Sequence, residues 1–210
     1  MPEWVTLVRR QKGERATPPK STRRQLLPRA KRREQILIAA THAFARAGFT
    51  STSLDDVAAE AGVDRVILYR HFASKADLYL AVLRRAGDRL AAATGAPQFS
   101  ATSVAGLLSA AAEDPDGFRL LFHHAAREPQ FRQEMDKRRR QMVTVTHRAL
   151  AGRVPDPAWA RWASTLLPAM AVEAVIAWLE VGQPDRASAA QRIEKAIWGV
   201  VEAARSAAGH

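Results

Sequence analysis

Arg65 is the residue whose chemistry can be stated first. It lies in the stretch LDDVAAEAGVDRVILYRHFASK, residues 54–75, one position after Asp64. At the start of an exposed helix an arginine can donate two parallel hydrogen bonds to O6 and N7 of a guanine in the major groove. The alternatives at this position are a solvated guanidinium or a phosphate contact. Other clusters invite chemistry less well. His123 and His124 are adjacent, and neighbouring helix residues point about 100° apart, so they suit no shared metal; no HExxH spacing accompanies them. They read as ordinary polar helix positions. The run Lys137-Arg138-Arg139-Arg140 cannot share one helix face and reads mostly as solvated charge. No Gly-rich phosphate loop, nucleophile elbow or catalytic carboxylate pair stands out, so neither an enzyme, a metal site nor a cofactor is expected.

Two short helices must hold Arg65 in place. Leu54, Val57, Ala58 and Ala61 recur at helical spacing and make one face apolar. Gly62 follows where a turn needs positive φ. Asp64 can cap the next helix, which buries Leu68 and Phe72. Two helices joined by a tight glycine turn form a helix-turn-helix, whose second helix enters the DNA major groove.

With the preceding helix the string becomes far more specific. Ala43-Phe44, Gly48-Phe49, Thr52-Ser53, Val57-Ala58, Ala61-Gly62-Val63, Leu68-Tyr69, His71-Phe72 and Ser74-Lys75 together resemble the N-terminal domain of the TetR family of transcriptional regulators. The resemblance covers roughly residues 30–80. It implies an all-α fold: an N-terminal three-helix helix-turn-helix DNA-binding domain followed by a helical-bundle ligand-binding and dimerisation domain. It also implies that Thr52, Asp64, Arg65, Tyr69, His71 and Lys75 lie at DNA-facing positions, with Thr52, Tyr69, His71 and Lys75 on phosphates. A half-buried Tyr69 and a His71 that simply ends its helix remain open. The sequence departs from the family pattern at Val66 and Ile67, where a small residue and a polar one are usual. Two β-branched side chains there can pack against thymine methyls, or one can turn inward.

The 210 residues carry a formal net charge of +11, which points to a polyanionic partner. Residues 1–33 hold eleven cations against two acids, so the rest of the chain is close to neutral. Residues 1–28, with Pro18-Pro19 and Pro28, read as a disordered basic arm, either touching DNA or passively solvated. There is no cysteine, hence no disulfide or thiolate site. The longest apolar stretch, Leu166–Leu179, is interrupted by Pro168 and Glu173 and is shorter than a bilayer span. A soluble cytoplasmic protein is expected.

The remaining boundaries follow from caps and prolines. A first helix over about 30–47 ends at Gly48, and residues 29–76 make the DNA-binding domain. Ser74 caps a long connecting helix that reaches Thr94, and Gly95-Ala96-Pro97 breaks it. Helices are predicted at 101–113, 116–127, 130–151, 157–181 and 185–206, within a domain spanning 77–210. The last two carry broad apolar faces rich in tryptophan, and the resemblance implies that they pair with a second copy as a homodimer. It also implies a small-molecule effector, for which Phe118, Leu121, Phe122, Met142, Trp162, Met170, Glu173 and Trp178 are the candidate lining; plain core packing is the alternative at each. Pro168 is expected to kink its helix. The function expected is a sequence-specific repressor on double-stranded DNA, released from a palindromic operator by a small apolar ligand. The alternatives are a constitutive DNA-binding regulator and a helical small-molecule enzyme.

Overall fold

The computed structural model describes residues 28–96 and 103–206, so the basic arm, apart from Pro28, lies outside the described residues. Every regular element within them is helical. The order is α1 (Arg29–Ser51), α2 (Leu54–Ala61), α3 (Arg65–His71), α4 (Lys75–Thr94), α5 (Ser103–Glu113), α6 (Pro115–Arg119), α7 (Arg132–Leu150), α8 (Pro157–Glu180) and α9 (Arg186–Ser206). A π turn at Leu120–His124 and 3-10 turns at Ala125–Arg127 and Pro129–Phe131 link α6 to α7.

Local signals place the first four helices. Ile36, Leu37, Ala40 and Phe44 bury one face of α1. Gly48, at φ 76° and ψ 173°, interrupts its regular backbone before a last turn that ends at Ser51. Ser53 and Asp56 form a reciprocal capping box at the start of α2. Gly62 closes α2 in the left-handed region, φ 61°, and its N–H donates to the carbonyls of Ala58 and Ala59. Asp64 sits at the N-cap of α3, but its exposed carboxylate makes no capping bond; only its backbone carbonyl is used, accepting from Ile67 and Leu68. Ser74 caps α4 by accepting from Asp77 N–H.

Between α6 and α7 the expected single helix is replaced by the π and 3-10 turns. Asp114 caps α6 and Pro115 opens it. The wider π turn then lets Leu120, Leu121 and Ala125 all point inward. Glu128 precedes Pro129 and is forced to extended geometry, which ends the segment. The helix α8 runs through Pro168 as one element.

Three apolar cores result. The first joins α1 to α4 with Leu120, Leu121, Ala125 and Phe131. The second packs α5 and Phe118 against the C-terminal half of α8 and Ala189 of α9. The third ties Leu150 and Val154 to Ala160, Ala163 and Leu167 of α8 and Val201 and Ala204 of α9. Leu90 of α4 packs against both the first and the second, so α4 is shared between the two halves of the molecule. By length and composition α8 could cross a membrane, a possibility the sequence reading set aside on a shorter stretch. Nine of its residues are buried against the rest of the protein.

Tyr79 occupies the centre of the first core. Its ring stacks on Phe131 at 4.6 Å and meets Phe44 edge-on at 4.9 Å. Its hydroxyl is buried without a hydrogen-bond partner among the described residues, and burial pushes its pKa up. An unsatisfied buried hydroxyl costs free energy that an isosteric phenyl ring avoids. Tyr79→Phe is therefore expected to stabilise the fold by about 1 kcal/mol, read as a melting temperature higher by roughly 2–4 °C. A lower melting temperature would show that the hydroxyl is satisfied.

Candidate nucleic-acid interface

A seven-residue helix such as α3 is too short to hold itself together in water and must be held by its neighbours. Leu68 is the anchor, fully buried between the other helices of the first core, and Phe72 follows it inward. Fixing that side leaves Arg65, Val66, Tyr69 and Arg70 facing outward. Val66 is 64% exposed and offers an apolar contact on that outward face. Ile67 is partly buried beside Leu68. Of the two β-branched residues, Val66 thus faces out and Ile67 is turned part of the way in.

Arg65 does not hang free. Its Nη1 donates to Asp55 Oδ2 at 2.9 Å and its Nη2 to the Tyr69 hydroxyl at 3.2 Å. The guanidinium carbon lies 5.5 Å from the centre of the Tyr69 ring. Both partners favour the charged form and hold the Arg65 pKa above its ordinary value, the Tyr69 hydrogen bond first and the Asp55 charge next.

Two residues assigned to phosphates are used differently. Thr52 is buried; its hydroxyl donates to the Gly48 carbonyl at 2.7 Å and lies 3.2 Å from that of Ala43. It fastens the kinked end of α1, and its side chain does not face outward. Lys75 is likewise engaged within the protein. Its Nζ donates to the carbonyls of Phe49, Thr52 and Thr50 at 2.8, 3.0 and 3.2 Å, and sits 4.5 Å from the Phe49 ring. The ammonium thus satisfies three carbonyls at the end of α1, where the helix dipole favours a cation. Seen from the sequence, Lys75 is a cation in the first turn of α4; only folding brings it 23 to 26 residues back along the chain.

His71 is partly buried at the end of α3, and its pKa is lowered, by burial first and then by the charges of Arg29, Arg33 and Arg32. These arginines stand in the first turns of α1, and Arg33 lies over the Phe72 ring at 5.1 Å. They extend the positive surface beyond α3. In the sequence this charge counts only among the N-terminal cations, and folding of α1 carries it to the foot of α3; Arg70 and Asp55 are likewise ordinary exposed helix charges until folded. With the folded pKa below the unfolded one, the unfolded chain binds more protons between them. Stability is then complete above pH 6.5, the ordinary histidine value, and falls as pH drops through the folded pKa. His71→Gln should flatten the melting temperature between pH 7 and pH 5 relative to wild type; parallel profiles would remove His71 from that dependence.

The eight residues expected to line an effector pocket do not enclose one: Phe118, Phe122 and Trp178 share the second core, and the other five are dispersed. Phe118 and Leu121 are buried and border a void of about 20 Å³ between α4, α5 and α6, room for a single water. Phe122 packs on Phe118 at 4.8 Å. Trp178 is buried and its indole N–H donates to Pro184 O at 2.8 Å. Met170 belongs to the third core, and Met142 is partly buried on α7. Glu173 is exposed and pairs with His123 at 3.3 Å. Trp162 stands outside, edge-on to Trp159 at 5.4 Å. Large apolar side chains at helical spacing serve several faces, and the sequence does not say which. The larger concavity, about 450 Å³, is an open groove along α1 and the end of α2, lined by Lys31, Glu34, Gln35, Ile38, Ala39, His42, Glu60 and Ala61.

Comparison with known proteins places this arrangement. The family model described as bacterial regulatory proteins, tetR family, matches residues 36–82, which span α2, α3 and parts of α1 and α4. The chain is 32% identical over 207 residues to the HTH-type transcriptional activator FasR of Mycolicibacterium smegmatis, covering 90% of this chain and 91% of that one. Among solved structures it is similar to a TetR-like transcriptional regulator from Rhodococcus sp. RHA1, with 25% identity, a TM-score of 0.71, and coverage of 88% of this chain and 100% of the other. A tetR-family regulator from Streptomyces coelicolor shares the fold at a TM-score of 0.65 and 21% identity, over 86% of this chain and 84% of the other.

Proposed function

Because the chain belongs to the TetR family of bacterial regulatory proteins, DNA-binding transcriptional regulators rather than enzymes, we propose that it reads one double-stranded DNA sequence with α3 and raises transcription from that site. The observation that carries the reading is the outward face of α3. Arg65, Val66 and Tyr69 project from a helix whose only deeply buried residue is Leu68, beside an arginine-bearing start of α1. Such a face offers a base-reading fork, an apolar contact for a thymine methyl and backbone-neutralising charge. The sign of regulation follows the FasR relative, called an activator, in place of the repression expected from the family at large. Selection from a random duplex pool, followed by a reporter driven through the selected site, tests both parts. No enriched sequence removes DNA reading; a reporter that falls when the protein is present makes it a repressor.

The reading includes a two-fold dimer. Trp159 and Trp162 on α8 are 38% and 41% exposed, and Trp198 on α9 is 50% exposed. Ala169 and Ala177 continue the outer stripe of α8 at helical spacing. An isologous contact places a changed residue in the interface twice. Ala169→Asp, at an exposed position that leaves the protomer core intact, should turn a dimer into a monomer by light scattering at micromolar concentration. A wild-type monomer would end this part of the reading. A charge at Val201 is no test, because that side chain is buried within the protomer. Sites selected by the dimer should be palindromic.

Between α4, α5 and α6 a small-molecule effector needs the 20 Å³ void to open. Parting α5 and α6 from α4 would enlarge it and shift the helix whose Lys75 holds the end of α1. That is a route by which ligand and DNA can each alter the other's affinity.

A further inference from the structure

We propose that Asp55, on the first turn of α2, is a specificity-determining residue: it positions Arg65 for base reading and keeps the guanidinium off the phosphates. The inference rests on α3 being the DNA-reading helix. Asp55 and Arg65 are 62% and 57% exposed at their side chains, so their ion pair contributes little to folding. Its consequence is geometric. One N–H of Nη1 is taken by Asp55 and one of Nη2 by Tyr69, on two different helices. Of the five N–H groups of an arginine, three remain, still in one rigid plane, enough for the two that guanine accepts. The Tyr69 hydroxyl and ring hold the same group from the side of α3.

Without the carboxylate, a free arginine on this face would swing to the nearest phosphate, the strongest acceptor a duplex offers, and would bind every sequence alike. Asp55 also carries a negative charge on the face that meets the polyanion, so it weakens binding wherever the base contact is not made. Part of its role is thus repulsive, as specificity commonly requires. The neighbouring acid does something else. Asp56 is bound to Ser53 in the capping box, its carboxylate accepting from Ser53 N–H at 2.8 Å. Asp55 alone of the two reaches across to α3.

The test compares wild type, Asp55→Asn, Arg65→Ala and the double variant on two probes, a random-sequence duplex pool and the duplexes that wild type enriches from it. Asp55→Asn should bind the random pool roughly 5- to 10-fold more tightly at 0.1 M salt, the gain from about one more phosphate contact. It should lose about tenfold of the preference for the enriched duplex. That loss should fall at the base pair that Arg65→Ala blurs, and the double variant should match Arg65→Ala in base preference, because Asp55 shapes the base contact through Arg65. Circular dichroism and Asp55→Ala guard against a folding effect. If Asp55→Asn keeps the wild-type preference, or binds the pool more weakly, the inference is overturned while DNA reading by α3 stands. If wild type enriches no duplex, the reading of α3 falls and the inference with it.

Discussion

Arg65→Ala is expected to cost about 1–3 kcal/mol of binding to the enriched duplex, a factor of five to more than a hundred, while the fold is unchanged. The side chain is exposed, and its partners Asp55 and Tyr69 can both turn to water, so melting should stay within about 0.5 kcal/mol of wild type. Base preference should relax at one position in each half-site. Binding to the random pool should change far less, because a base contact adds nothing where the base is wrong. Anisotropy titrations over a salt series separate the two effects: the slope reports phosphate contacts, and the ratio between probes reports base reading. An equal loss on both probes would make Arg65 a phosphate ligand.

Lys75→Met should act on the other quantity. The thioether side chain keeps the apolar stem near Phe49 and removes the ammonium that three carbonyls share. Hydrogen bonds to a charged group contribute about 1.5–3 kcal/mol, so a loss of roughly 3 kcal/mol is expected once the carbonyls are left to water. At about 2–4 °C for each kcal/mol in a chain of this size, melting should drop by roughly 6–12 °C. The end of α1 and the start of α2 would loosen together, because Lys75 bonds both Phe49 and Thr52. If Lys75 serves a phosphate alone, the variant will melt normally and lose about one unit of salt slope. Thr52→Ala makes a milder companion, since its hydroxyl holds the Gly48 carbonyl in the same corner.

The contrast between these two lysine and arginine sites shows where sequence reasoning reaches. Arg65 and Lys75 occupy positions that the family pattern marks alike as DNA-facing. What separates them is the bend at Gly48, which carries the carbonyls of Phe49 and Thr50 to the foot of α4. A capped helix start, a glycine in the left-handed region and a buried residue every three or four positions are local matters. They depend on backbone sterics and on neighbours within one turn, so Gly62, Ser74 and Leu68 could be placed from the string alone.

The effector pocket failed to gather for the opposite reason. Phe118, Trp162 and Met170 have the same composition signal, a large apolar side chain on a helix, and end in the second core, on the surface and against the third core. Hydrophobicity is non-directional, and which face of α8 meets α5, α7 or solvent is settled only when the helices pack. The sequence by itself determined the helical fold and the two short helices of the helix-turn-helix, because each rests on short-range periodicity and caps. Tertiary structure alone decided that Lys75 clamps α1, that Thr52 points inward and that Asp55 reaches Arg65, because these are contacts between groups 9 to 26 residues apart, created by the fold.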